Sequence, residues 1–127
     1  MKILSSANVL SVKDVQSSLN FYKNVLGAKD YFSFGDYAGV LLGLVEIHLA
    51  GPSVDLRRNE GQGSIYFFCE NVDEYYVDFS SKGAKIIVAL ENQPYSMRDF
   101  VIEDPDGNLL TFGQEIDKEG KLIFRSV

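Results

Sequence analysis

The sequence has one cysteine, one histidine and no tryptophan among its 127 residues. Because the single cysteine, Cys69, cannot form an internal disulfide, the chain lies outside the disulfide-stabilised class of small secreted proteins. Only three prolines occur, and no proline-rich or low-complexity tract interrupts the chain. The fold must therefore be held together by an apolar core.

Long apolar runs and excess positive charge are also missing. No stretch approaches the roughly 20 apolar residues that a membrane-spanning helix requires, and the opening MKILSSANVL lacks a secretory signal pattern. We therefore expect a cytoplasmic protein with no membrane partner. Lysine and arginine number 12 against 18 acidic residues, which gives a formal net charge of −6. Because such a surface repels phosphate backbones, we expect no nucleic-acid partner, whereas a cationic small molecule is compatible.

The chain contains an internal repeat. LSVKDVQSSLNFYKNVLGAK (residues 10–29) resembles FFCENVDEYYVDFSSKGAK (67–85), and both copies end in Gly-Ala-Lys. The chain is about as long as one ordinary domain, and 46% of its residues are hydrophobic, which is enough to form a core. We therefore expect residues 1–127 to form a single domain. Its expected parts are listed by position: a first unit over about 5–50, a linker over 51–63, a second unit over about 64–114 and a tail over 115–127.

Each copy has the pattern of a strand, a helix and three further strands. Asp14 and Asn71 are predicted to cap the two helices, which end near Gly27 and Gly83. Strands are predicted over 7–12, 31–34, 38–42, 44–49, 64–69, 85–90, 97–103 and 109–112. The fold class is therefore α+β: two tandem βαβββ units that form a cupped mixed sheet, with the helices on the outside.

Strand alternation assigns side chains to opposite faces of the sheet. In the second unit, Tyr66 and Phe68 share the face opposite Phe67 and Cys69, so Cys69 is expected to be buried beneath the helix. Both faces are apolar, which indicates that the side away from the helices is a ligand groove or a subunit interface. Because no spare element covers this side, we expect a homodimer. The tail is expected to add an edge strand or to cover an apolar patch.

Two stretches, VKDVQSSLNFYKNVLGA and DPDGNLLTFG, together with the duplicated units and the acidic charge, resemble a known family. The family is the glyoxalase / bleomycin resistance / extradiol dioxygenase superfamily, also called vicinal oxygen chelate proteins. QPYSMRDFVIEDPDGNLLTFGQE, GDYAGVLL and SIYFFCENVDEYY look more like the bleomycin resistance branch. That resemblance implies dimers with an aromatic groove for a small molecule.

The resemblance also implies where enzymatic relatives would hold a metal. The corresponding positions here are Ala7, Glu46, Ser64 and Thr111, of which only Glu46 is a good ligand. His48 lies on the same strand face and could supply a second ligand, which is fewer than the three that catalytic zinc uses. We therefore expect no metal, no other cofactor and no catalytic residue.

The ligand-binding residues implied by the resemblance and by strand alternation are Tyr37, Glu46, His48, Tyr66, Phe68, Tyr95 and Arg98. Each also has a purely structural interpretation. Glu46 and His48 are equally consistent with a hydrogen-bonded pair on a wet sheet face, and Tyr66 and Phe68 with ordinary core aromatics. Tyr37, Tyr95 and Arg98 could simply pack at loops and strand edges. Asp104 and Asp106 are assigned to turn structure rather than to acid–base chemistry.

The leading functional hypothesis is a non-catalytic protein that sequesters an antibiotic-like, aromatic or cationic small molecule. One alternative is a metal-dependent lyase, isomerase, dioxygenase or thiol transferase of the same superfamily. The other is a dimeric scaffold protein whose groove is filled by its partner subunit.

Overall fold

The computed structural model describes residues 1–125 and divides the chain into two compact units. Unit one comprises Met1–Gly63 together with the turn Pro105–Asn108. Unit two comprises Ser64–Asp104 and the chain from Leu109 onward. Each unit contains one helix and one four-stranded sheet. No helix in the described part of the chain is long and apolar enough to cross a membrane.

Unit one has the predicted βαβββ order. Its elements are β1 (Asn8–Ser11), α1 (Val15–Asn24), β2 (Lys29–Phe34), β3 (Tyr37–Leu42) and β4 (Val45–Ala50). The strand order is β1-β4-β3-β2, with β1 parallel to β4 and the other neighbours antiparallel. The crossover through α1 therefore carries the chain from one edge of the sheet to the other.

Helix α1 begins and ends as the sequence predicts. The Asp14 carboxylate accepts hydrogen bonds from the backbone N–H groups of Gln16 and Ser17, which satisfies two donors of the first turn. Gly27 has a φ of 79°, a left-handed conformation that suits glycine and stops the helix. Between these ends, Leu19 and Tyr22 are buried against the sheet. The local capping signals thus place the apolar stripe over the core of unit one.

Unit two repeats the same topology. Its elements are β5 (Ser64–Phe68), α2 (Val72–Ser81), β6 (Lys85–Asn92), β7 (Met97–Glu103) and β8 (Leu109–Glu115). The strand order is β5-β8-β7-β6, again with one parallel pair, β5 with β8. The predicted tandem βαβββ fold is confirmed, although β6 and β8 extend two and three residues beyond their predicted ends.

Helix α2 begins differently from the prediction. Asn71 stands at the N-cap position, but its backbone is left-handed (φ 65°) and its side chain makes no capping hydrogen bond. Instead, the buried Gln114 of β8 accepts a hydrogen bond at 3.0 Å from the Val72 N–H. The expected local cap is therefore replaced by a side chain from a neighbouring strand.

Aromatic rings form the core of unit two. Phe112 on β8 stacks on Phe67 of β5 at 4.7 Å and on Phe100 of β7 at 5.5 Å. Phe79 of α2 meets the same ring edge-on at 5.0 Å. All four side chains are buried. Because offset-stacked and edge-on pairs add stabilisation beyond burial alone, this cluster fixes α2 against the sheet.

Strand alternation is confirmed along β5, with one correction at its end. Phe67 is 5% exposed and faces the core, whereas Tyr66 is 37% and Phe68 81% exposed on the opposite side. Cys69, expected beneath α2, is instead half-buried. The strand ends at Phe68, and although the Cys69 N–H still donates to the Gly113 carbonyl at 2.9 Å, Cys69 lies at this end of the sheet and is only partly covered.

The Asp-Pro-Asp-Gly-Asn turn packs within unit one and has the structural role predicted for it. The Asp106 carboxylate accepts a hydrogen bond from the Lys13 N–H at 2.8 Å, and the Asn108 side chain accepts one from the Gly63 N–H at 2.7 Å. Asp104 is buried beside the turn. These acidic residues therefore serve the backbone geometry.

The tail folds back against the end of β8. Ile116 pairs with Leu122 in a β-bridge, and the Ile123 N–H donates to the Glu115 carbonyl. The Gln114 side-chain amide also donates to the Ile123 carbonyl. Of the two expected roles for the tail, short edge pairing is thus observed; residues 126 and 127 lie outside the described chain.

Candidate functional site

Tyr66 lies flat across the face of the unit-two sheet that is turned away from α2, which we call the far face. Alternation places Tyr66 of β5, Gly113 of β8 and Asp99 of β7 on this face. The Tyr66 ring passes directly over Gly113, where any Cβ atom would collide with the ring and its hydroxyl. The hydroxyl then donates to Asp99 Oδ2 at 2.9 Å. One glycine therefore lets the side chain span a neighbouring strand.

Asp99 also accepts a hydrogen bond from a second tyrosine, Tyr95. Tyr95 precedes β7 in the chain, and its hydroxyl donates a hydrogen bond to the same Oδ2 atom at 2.7 Å. Asp99 is only 3% exposed, and no lysine, arginine or histidine among residues 1–125 forms an ion pair with it. The buried carboxylate is thus held by two neutral phenols.

The protons of this cluster stay on the phenols. Burial, followed by the hydrogen bond to Asp99, raises the pKa of Tyr66 well above its ordinary value. The hydrogen bond to Asp99, followed by burial, raises the pKa of Tyr95. Ionising either phenol would also place a second negative charge beside Asp99, which adds to both shifts. Both phenols therefore remain hydrogen-bond donors to Asp99 at neutral pH.

Phe68 completes an aromatic corner with Tyr66. The two ring centroids are 5.0 Å apart with a 45° tilt between the planes. Phe68 is 81% exposed, whereas large aromatic side chains are normally well buried. An exposed ring held at an angle to a tethered phenol offers two apolar surfaces to a ligand.

An open pocket of about 560 Å³ lies beside Phe68 within unit two. Its lining residues are Phe68, Cys69, Glu70, Met97, Glu115 and Arg125, among others. Glu115 and Arg125 neutralise each other across the rim through a 2.9 Å ion pair. Burial raises the pKa of the Cys69 thiol to about 11, so this cysteine is a poor nucleophile at neutral pH. The pocket extends the aromatic corner with mixed apolar and paired charged groups.

A second polar cluster lies on β3 and β4 of unit one. The Tyr37 hydroxyl is 2.7 Å from His48 Nδ1, and His48 Nε2 is 2.5 Å from Glu46 Oε2. When Nε2 donates to the Glu46 carboxylate, Nδ1 can accept a hydrogen bond from the Tyr37 hydroxyl. Burial, followed by the charge of Glu46, raises the pKa of Tyr37. The three side chains thus form one continuous hydrogen-bonded chain.

Phe32 covers this chain. Its ring lies over Gly39, where a Cβ would collide with it, and contacts His48 edge-on at 5.0 Å and Tyr37 in a stacked geometry at 6.0 Å. All three groups of the hydrogen-bonded chain are partly buried. Unit one therefore presents an aromatic face in which the rings of Phe32 and Tyr37 both contact the imidazole edge-on.

The structure brings six of the seven predicted site residues together in two groups. Tyr37, Glu46 and His48 meet in unit one, and Tyr66, Phe68 and Tyr95 meet in unit two. Arg98 belongs to neither group. It alternates with Asp99, so its guanidinium lies on the helix side of β7, bonded to Asp73 of α2 at 2.7 Å and to Asn92. A predicted groove residue is thus placed in a structural ion pair.

Three residues of these groups were missed from the sequence: Asp99, Gly113 and Phe32. Asp99 carried a usable signal, because a carboxylate one residue before the buried Phe100 must face away from the core. Gly113, in the middle of a strand, fits the rule that such glycines mark a close approach. For Phe32 no local signal distinguishes it from its aromatic neighbours in β2.

The residues at the superfamily's metal positions do not fit a metal. The register also corrects one position: Val9 pairs with His48 as Tyr66 pairs with Thr111, so His48, and not Glu46, is the unit-one equivalent of Thr111. Either set offers one strong ligand beside neutral or apolar residues. Within residues 1–125, no group of three or more histidine, cysteine, aspartate or glutamate side chains could hold a metal ion.

The fold and the aromatic sites define a class of protein built from paired βαβββ units. Residues 6–112 match the family model described as Glyoxalase/Bleomycin resistance protein/Dioxygenase superfamily, and the chain belongs to this family.

Comparison with individual proteins identifies relatives within and around this family. The chain is 29% identical to a bleomycin resistance protein of Geobacillus stearothermophilus, with 90% of this chain and 98% of that protein covered. Among solved structures, it is similar to TioX from Micromonospora sp. ML1 (TM-score 0.76, 19% identity, 88% and 100% covered). It is also similar to the bleomycin-binding protein of bleomycin-producing Streptomyces verticillus, solved with copper(II)-bleomycin (TM-score 0.72, 20% identity, 93% and 99% covered). At these identities the structural matches establish the fold.

Proposed function

We propose that this protein binds and sequesters an antibiotic-like small molecule without chemically changing it, on the far face of unit two. The observation that carries the proposal is the aromatic corner of Tyr66 and Phe68, which stays exposed although the neighbouring Phe67 and Phe112 form a packed core. Exposed rings held in fixed positions gain binding energy from burial and stacking at little entropic cost. The similarity to bleomycin resistance proteins supports the same class of function.

Catalysis by a bound metal is the weaker candidate. The donor set described above provides one strong ligand at the positions where enzymatic relatives need several. We expect zinc, nickel, manganese and ferrous ions to bind the metal-stripped protein no better than weakly in calorimetric titrations. Stoichiometric sub-micromolar binding that is abolished by His48→Ala or Glu46→Ala would favour the enzymatic alternative.

We also propose that the protein acts as a homodimer in the cytoplasm. Exposed aromatic side chains occur in both units, including Phe34 at 82% and Phe68 at 81% exposure. Large aromatic side chains exposed in this way are more often covered by a partner or a ligand. The scaffold alternative makes the same prediction for assembly but predicts no ligand binding.

The test is a thermal-shift screen of bleomycin-type glycopeptides, polyamines and aromatic metabolites, with calorimetric titration of each hit. We expect at least one compound to bind the wild type and to bind Phe68→Ala roughly tenfold or more weakly, as expected from losing one good aromatic contact. Phe34→Ala is the matched control, because Phe34 is equally exposed but lies on β2 of unit one. Equal losses in both variants, or no hit at all, would contradict the proposal.

A further inference from the structure

We propose that the far face of unit two selects organic cations, with an alkylated ammonium group seated against the Tyr66 and Phe68 rings and Asp99 as its buried counter-charge. This inference rests on the proposed function, because it specifies the chemistry of the same binding surface. It adds a specificity-determining residue, Asp99, that contacts the ligand only through Tyr66.

The first argument is the uncompensated charge of Asp99. Both phenols donate to Oδ2, and no described cationic side chain pairs with the carboxylate. A carboxylate held only by neutral donors keeps a negative field around it, and the burial of Asp99 (3% exposed) reduces the screening of that field by solvent. A ligand cation is the group that would complete this site.

The second argument is the orientation of Tyr66. Gly113 lets the Tyr66 ring cross β8, and the side chain remains 37% exposed there, so part of the ring is accessible to a ligand. A phenol that donates a hydrogen bond to a carboxylate carries more electron density in its ring, and the raised pKa of Tyr66 keeps the proton on the phenol at neutral pH. Cations bind preferentially over electron-rich ring faces. Phe68, at 5.0 Å, forms the second wall of a cation-binding corner.

The third argument is the placement of competing cations. The nearest arginine in sequence, Arg98, points to the opposite side of β7 and is neutralised by Asp73. Arg125 at the pocket rim is paired with Glu115. Neither guanidinium is available to neutralise Asp99 in place of a ligand, so the preference for a cation is retained in the folded chain.

The test compares two isosteric probes by NMR titration of the full chain: meta-hydroxyphenyl trimethylammonium and the neutral meta-tert-butylphenol. We expect wild type to bind the cation about tenfold more tightly than the neutral probe. Asp99→Asn keeps a hydrogen-bond acceptor but removes the charge, and should abolish this preference because binding of the cation falls by more than binding of the neutral probe. Tyr66→Phe keeps the ring and removes the link to Asp99, so it should also weaken binding of the cation by more than binding of the neutral probe; this variant carries the test if Asp99→Asn fails to fold.

The outcomes separate the two proposals. Equal affinity of wild type for both probes, or an equal loss of both in Asp99→Asn and Tyr66→Phe, would overturn cation selection and leave the aromatic binding surface in place. Failure of wild type to bind either probe at millimolar concentration would overturn both.

Discussion

Tyr66 can reach Asp99 only because residue 113 has no side chain. The ring crosses β8 at Gly113, and the hydroxyl bonds to a carboxylate two strands away from β5. Gly113, a residue of the sheet itself, therefore determines the position of the partly exposed Tyr66 side chain. The same relation recurs in unit one, where the Phe32 ring lies over Gly39.

Gly113→Ala should therefore disable the site while preserving the fold. The new methyl group would displace the Tyr66 ring and break its hydrogen bond to Asp99, so the pKa of Tyr66 should fall toward the ordinary value of about 10. Alkaline titration followed by tyrosinate absorbance measures this shift, with Tyr66→Phe identifying which part of the curve belongs to Tyr66. A tyrosine titration curve identical to that of wild type would show that the ring does not depend on Gly113.

Stability should decline at alkaline pH because of the same tyrosines. In the folded chain Tyr66 and Tyr95 retain their protons to higher pH than in the unfolded chain, where both ionise near pH 10. Their contribution to the free energy of unfolding is therefore complete below about pH 10 and is lost as the pH rises toward the folded pKa values. Urea unfolding at about pH 9 and about pH 11 measures the loss, which should be smaller in Tyr66→Phe. A loss of equal size in that variant would assign it to other groups.

At the scale of single elements, β5 carries two opposite roles on alternate residues. Phe67 points into the aromatic core of unit two, whereas Phe68 points to the far face. Although both residues are phenylalanine and adjacent in sequence, strand alternation alone places them on opposite faces of the sheet.

Phe67→Ala and Phe68→Ala should consequently differ in their effects. Removing the buried Phe67 ring should lower the free energy of unfolding by roughly 3–5 kcal/mol, because it leaves a cavity beside Phe112. Removing Phe68 should change stability by only about 0.5 kcal/mol, as is usual for exposed positions. Chemical denaturation of the two variants checks this contrast, and similar losses in both would reverse the assignment of the strand faces.

The two helices show how far the sequence could predict this structure. The cap of α1 was predictable because Asp14 acts on backbone groups two and three residues away. The cap of α2 was not, because Gln114 lies 42 residues from Val72 in sequence. The site follows the same rule: alternation predicted that Glu46 and His48 share a face, but the meeting of Tyr66 with Asp99, 33 residues apart, depends on strand order and register. Local signals fixed the elements, and the strand pairing assembled the site.

At the scale of the whole molecule, we predict that the chain is dimeric. Its exposed aromatic side chains and its negative charge suit a protein that shields apolar surface by association and that attracts cationic ligands. Sedimentation velocity at micromolar concentration should give a dimer-sized species. A single monomer-sized species over that range would contradict dimerisation, while leaving ligand binding by the individual chain open to test.

The most direct test of the central claim is to map where a small molecule binds. We propose titrating the isotope-labelled protein with meta-hydroxyphenyl trimethylammonium and following the backbone amide signals by NMR. Binding on the far face predicts saturable shifts at Tyr66, Phe68 and Gly113, with little change at the equally aromatic β2 of unit one. Saturable shifts confined to unit one, or the absence of shifts throughout the titration, would contradict the assignment of the site to unit two.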